Sequence, residues 1–203
     1  MCSSDLAYGL DFSRNLTNNV ELHGELAWQV DARRQVISAS GQRMTVTGDA
    51  INWLVGVRYL TEQDTTWIVE YYRNGSGCTT TEMTTYYQQV EQAWDTWQTS
   101  GNAAQLQQLG QNQAYTRPAA MRDYLYARVS QKEPFDILYV TPAVTAITNL
   151  QDHSLSLTPE LVYTGITNLE LRLKGTVLIG SRGSEYGEKV NDTRVEVRAR
   201  WYF

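Results

Sequence analysis

His153 stands beside Ser154 and three residues before Ser156, the first place in this 203-residue chain to look for chemistry. A serine hydroxyl and an imidazole are the parts of a hydrolase's nucleophile and base. Neighbours within one loop do not supply the tertiary geometry which that pairing requires. The other histidine, His23, lies between Glu21 and Glu25, and neither histidine has a partner at metal-ligand spacing. Cys78 sits in the turn-like "NGSGCTT", and with Cys2 it makes no disulfide framework. The stretch "GSRGSEYGE" (180–188) holds glycines but lies between two strands, where no helix N-terminus awaits a phosphate. The sequence therefore points to no catalytic residue, no metal and no cofactor.

What the charged residues do share is a period of two. In "NLELRLKGTVLIG" (168–180), Leu169, Leu171, Leu173, Val177 and Ile179 form one face, and Glu170, Arg172 and Lys174 the other. The closing "TRVEVRARWYF" (193–203) sets Val195, Val197, Ala199, Trp201 and Phe203 against Arg194, Glu196, Arg198, Arg200 and Tyr202. Such alternation makes a β-strand with one apolar and one wet face. Alternation at 6–14, 20–30, 121–132 and 154–165, aromatic and β-branched runs at 51–60 and 66–73, and a stretch apolar on both faces at 135–150 bring the expected strands to nine. A bulge is expected at Pro159, which cannot donate to a ladder. The wet faces also carry Asp11, Glu21, Glu25, Arg58 and Glu70, and further on Arg128 and Glu160.

Composition narrows the class. The formal charge is -5, without the clustered basic excess that a nucleic-acid partner needs. The 13 Tyr and 6 Trp against 3 Phe favour rings with polar tips, which suit a membrane interface. Links of 31–48, 74–119 and 181–192, with a shorter one at 148–154, alternate with turns at 16–19, 61–64, 132–134 and 165–168. Residues 74–119 differ from the rest. Thr79 and Glu82 are spaced as a capping box; Met83, Tyr86, Tyr87, Val90, Trp94 and Trp97 then follow at helical spacing until Gly101. A second, shorter helix is expected within 102–113.

A last strand of alternating apolar residues closing on Phe203 resembles the assembly signal of bacterial outer-membrane β-barrel proteins. The matching residues are Phe203, Trp201, Ala199, Val197 and Val195. That resemblance implies an all-β fold, an antiparallel up-and-down transmembrane β-barrel with a helical insertion in one long loop, in the outer membrane of a Gram-negative cell. It also implies outer-membrane lipid and the barrel-insertion machinery as partners. Every short turn then falls on the periplasmic side. Nine strands against the even count of such barrels make this a partial barrel, lacking an odd number of strands before its start. Residues 1–6, "MCSSDL", read as the translated end of a sequencing adapter, which leaves 7–203 as the C-terminal part of one barrel domain. A soluble β-sandwich is the rival, and it would have to bury the Leu, Val and Trp faces against each other.

The porin-like members of that class imply an outer-membrane channel for passive diffusion or uptake of small polar solutes, not an enzyme. Pairing the last two strands about the middle of their loop sets Arg172 opposite Arg200 and Lys174 opposite Arg198. With Glu160, Glu170 and Glu196 beside them, these are the candidate pore-lining residues. They read equally as a balanced charge network or as a basic ladder that a passing anion would feel. The helical insertion reads as a cap over the mouth or as a segment folded into the lumen, where Glu82, Glu91 and Asp95 would face the ladder as a constriction. A barrel enzyme (a hydrolase), or a structural or adhesive barrel with a packed interior, stands as the alternative.

Overall fold

The computed structural model describes residues 6–203, so all but the last residue of the adapter-like start lies outside them. Among the described residues, nine strands form one antiparallel sheet in chain order. They are β1 (Ala7–Asn15), β2 (Val20–Ile37), β3 (Arg43–Leu60), β4 (Thr65–Arg73) and β5 (Asp123–Gln131), then β6 (Val140–Asn149), β7 (Leu155–Ile166), β8 (Leu169–Ile179) and β9 (Thr193–Trp201). Each pairs with its neighbours in sequence, and β1 and β9 are the two ends, so the sheet is not closed. β1 is exposed along its whole length. Between β4 and β5 lie α1 (Thr80–Ser100), α2 (Ala104–Gly110) and a single turn, α3 (Gln113–Thr116). Among the described residues no helix is long and apolar enough to cross a membrane.

The start and stop of α1 follow from local chemistry. The Thr79 hydroxyl accepts from the Glu82 amide at 3.2 Å, and the Glu82 carboxylate accepts from the Thr79 amide at 2.8 Å. Both orphan donors of the first turn are thereby satisfied. Gly101 ends the helix at φ 72°, a left-handed conformation that glycine adopts without a Cβ penalty. The buried face is Met83, Tyr86, Gln89 and Ala93, not the full expected stripe. Trp94 and Trp97 are exposed and lean on each other at 4.9 Å. The structure that α1 packs against ends before its last two turns do.

Four expectations are corrected. The stretch 31–48 is mostly strand: β2 and β3 run 18 residues each and turn within residues 38–42. Residues 135–139 are not strand, because Phe135, Asp136 and Tyr139 take positive φ and a 3-10 turn occupies Pro134–Asp136. Pro159 causes no bulge; it stays in register opposite Val144, and the irregularity between β7 and β8 lies between Tyr163 and Ile166. The β8–β9 register is two residues from the one expected. Arg172 faces Arg198, Lys174 faces Glu196 and Glu170 faces Arg200. The loop 180–192 is not a symmetric arc, since Ser184 bonds back to Ser181 and Glu188 to Ser184, folding it upon itself.

The chain divides into two units. One holds the start of β1, Leu26–Trp53 and Arg73–Asp123. Its apolar core gathers Met83 and Tyr86 from α1, Leu109 from α2, then Tyr115 and Met121. Tyr86 stacks on Tyr115 at 4.2 Å and 5°, and the Tyr115 hydroxyl accepts from the Ile37 amide at 2.9 Å. The other unit holds Asp11–Glu25, Leu54–Tyr72 and Tyr124–Phe203. There Leu161 is 42% exposed, Leu173 49% and Val197 77%. The apolar side of β7–β9 is the open side.

Candidate functional site

The other side of the same strands carries the charge. Rows across β7, β8 and β9 place Glu160 opposite Lys174, and Lys174 opposite Glu196. The Glu160 side chain is only 10% exposed, one residue from the 42% of Leu161. Arg172 lies 3.6 Å from Glu160 and 3.3 Å from Glu170. Arg128 reaches Glu160 from β5 at 3.2 Å and donates to the Thr145 hydroxyl at 2.9 Å. It can pass over β6 because the residue opposite Glu160 there is Ala143, a small side chain. On β9, Arg194 and Arg198 converge on Glu196 at 3.2 and 2.8 Å. The single like-charged row is Arg172 against Arg198, so four cations do not crowd together as the expected register required. Arg172 Nε is nonetheless covered and without a hydrogen-bond partner.

A second stretch of this face, on β2–β4, follows the same rule. His23 and Glu70 meet at 3.1 Å across β3, above Gly56, where a Cβ would lie 2.5 Å from the imidazole. His23 thus pairs with Glu70, while Glu21 takes a bond from the Ser13 hydroxyl at 2.7 Å and lies 3.9 Å from Arg58. Among the described residues no group of three His, Cys, Asp or Glu could hold a metal ion.

Of the expected constriction residues, Glu82 is committed elsewhere. It grips Arg34 of β2 through two bonds at 2.7 and 2.8 Å, besides closing the capping box. Burial would push its carboxyl up, but the hydrogen bonds from Arg34 and Thr79 outweigh burial and hold it below the usual carboxylate range. Glu91 and Asp95 lie exposed on α1. Of the assembly-signal residues, Trp201 and Phe203 stand open to the surroundings, with Val195 and Val197 on the same face.

The structure adds a cluster that the sequence did not mark. Glu185, in the loop after β8, is 1% exposed. Its carboxylate accepts from the Tyr124 hydroxyl at 2.5 Å and from Asn149 Nδ2 at 2.8 Å, and its amide donates to Asp152 at 2.6 Å. Ser154 belongs to this staple: its hydroxyl donates to Asp152 at 2.7 Å and accepts from the Tyr186 amide at 3.3 Å. Burial, then the nearby Glu185 and Asp152 carboxylates, push the Tyr186 phenol well up from its ordinary value. Only alternation marks a strand; nothing in "GSRGSEYGE" marks partners 32 to 61 residues away.

No family model matches the sequence, and no curated protein matches it.

Proposed function

We propose that this chain is part of a bacterial outer-membrane β-barrel whose charged face lines a water-filled passage, through which small polar solutes diffuse without chemical change. One observation carries the reading. On β7 and β8 the apolar Leu161, Leu173 and Val177 are exposed while Glu160 and Glu170 on the other side are largely covered, the reverse of a sheet that folds around an apolar core; β9, the last strand, is open on both sides. A lipid surround stabilises an outward apolar face, and water or paired charges satisfy the inward one. Each of these strands has at least the roughly 9–11 residues needed to cross a bilayer at a tilt.

The insertion fits a cap better than a constriction. Gln89 donates to the Ala39 carbonyl at 2.9 Å and Arg43 to the Gln108 carbonyl at 2.8 Å, tying the helices to the tip of the β2–β3 hairpin. Phe203 touches little in the fold, which fits a residue read during assembly. Its removal should lower the amount inserted in cells yet leave the melting of refolded protein unchanged.

The charged face of β7–β9 holds five cations (Arg172, Lys174, Arg194, Arg198 and Arg200) against three carboxylates (Glu160, Glu170 and Glu196). That local excess of two makes this part of the wall a positive patch that a passing anion would feel. A second reading, a barrel with a packed interior, is favoured by the chain of pairs Arg128–Glu160–Arg172–Glu170. Conductance across a planar bilayer separates them. The channel reading requires current, and a shift of selectivity towards cations when Arg172, Lys174, Arg198 and Arg200 become Gln. Refolded, inserted protein that carries no current supports the packed interior instead.

A further inference from the structure

A cavity of about 740 Å³ opens between β2, the start of β3 and the segment after α2. Four of its lining residues are arginines: Arg33, Arg34, Arg43 and Arg117. No Asp or Glu is among the lining residues described. Arg34 is neutralised by Glu82. Arg43 and Arg117 are held by carbonyl oxygens, of Gln108 and Ser76 respectively, both at 2.8 Å. A carbonyl orients a guanidinium without cancelling its charge, so the cavity keeps a net positive wall. Two donors of that wall, Arg117 Nε and Asn112 Nδ2, are covered and have no partner. The Asn112 amide is set by its Oδ1, which accepts from the Ala114 amide at 3.2 Å. A buried donor left unpaired costs free energy that an arriving acceptor recovers.

The remaining lining is chiefly amide. Gln29, Gln35, Gln111 and Asn112 can each donate and accept, which suits hydroxyl groups better than it suits apolar surface. Guanidinium groups bind carboxylates or phosphates through paired N–H bonds. The volume lies within the range of small-molecule sites. We propose that this cavity binds an acidic oligosaccharide, a short chain of sugar units bearing two or more anionic groups. The inference does not depend on the channel reading, because it concerns equilibrium binding at one unit of the chain and not passage through the sheet.

The test is calorimetric titration of the full chain in detergent micelles with trigalacturonate, against neutral maltotriose and inorganic sulfate. The expected result is saturable binding of trigalacturonate, at least about ten-fold tighter than either control. The double variant R33Q/R43Q should weaken it at least about ten-fold, whereas R14Q on β1 should leave it unchanged. Arg33 and Arg43 are both exposed, but the double variant loses the Arg43 bond to the Gln108 carbonyl, so its native folding is checked by an unchanged circular dichroism spectrum. Dispersed lipopolysaccharide is the competitor that assigns the source: displacement identifies a surface glycolipid, and its lack a free saccharide. Absence of binding, equal affinity for maltotriose, equal displacement by sulfate, or an R33Q/R43Q variant that binds as before overturns the proposal.

Discussion

The helical insertion and the β5–β9 stretch of sheet bury opposite things. In the insertion, Met83, Tyr86, Leu109 and Tyr115 are withdrawn from solvent, as in any water-soluble domain. In β5–β9, Glu160, Thr145 and Asn149 are covered together with Tyr124 and the small Ala143, while Leu161, Leu173 and Val197 stand open. Both regions come from one chain built of the same residue types. The burial pattern therefore reports the surroundings each region is made for: water around the helices and, on our proposal, lipid around the strands.

The largest effect expected from this contrast lies in the insertion's core. Met83→Ala removes a fully buried side chain and should cost about 2–5 kcal/mol of the insertion's stability. Urea unfolding followed through the fluorescence of Trp94 and Trp97, both on α1, would show it. Next comes Leu173→Arg on the open side of β8. On a soluble protein such an exposed change stays within about 0.5 kcal/mol. On a lipid-facing strand it costs about 2–4 kcal/mol near the bilayer midplane. Unfolding titrations in phospholipid vesicles discriminate between them, and a neutral result would break the comparison.

Smaller effects sharpen the insertion's side of it. Thr79→Ala removes half of the capping box and should cost about 1 kcal/mol, read from the same fluorescence transition. The smallest is a pH dependence. Because Glu82 is held below its ordinary 4.5, it favours the folded state fully above that value. The contribution is lost as the pH falls through the depressed folded value. Acid titration of the insertion should therefore show a loss of stability below pH 4.5 that is reduced in Glu82→Gln.

Much of the sheet was legible because alternation survives in any surroundings. The faces of β8 and β9 follow from which residues are odd and which even, and lipid and water would give the same reading. Thr79, Glu82 and Gly101 were legible for a different reason: a cap is a local contact, complete within four residues. The misreadings arise where partners are remote. Polar "ARRQV" (32–36) looks like a loop, yet it runs on as strand to Ile37 beside β3. Apolar "FDILY" (135–139) looks like strand, yet positive φ at three of its residues turns the chain. The cavity's arginines stand at 33, 34, 43 and 117, and only folding brings the last to the others.

The central claim is that the Leu and Val side of the sheet faces lipid while the charged side faces water. A nitroxide scan along β8, residues Leu169–Ile179, tests it directly in the vesicle-inserted protein carrying Cys2→Ser and Cys78→Ala. The account predicts that Leu169, Leu171, Leu173, Val177 and Ile179 are accessible to oxygen dissolved in lipid. Glu170, Arg172, Lys174 and Thr176 should instead be relaxed by a water-soluble nickel chelate, if the passage is open. Odd positions shielded from oxygen, with no alternation between the two reagents, would contradict it.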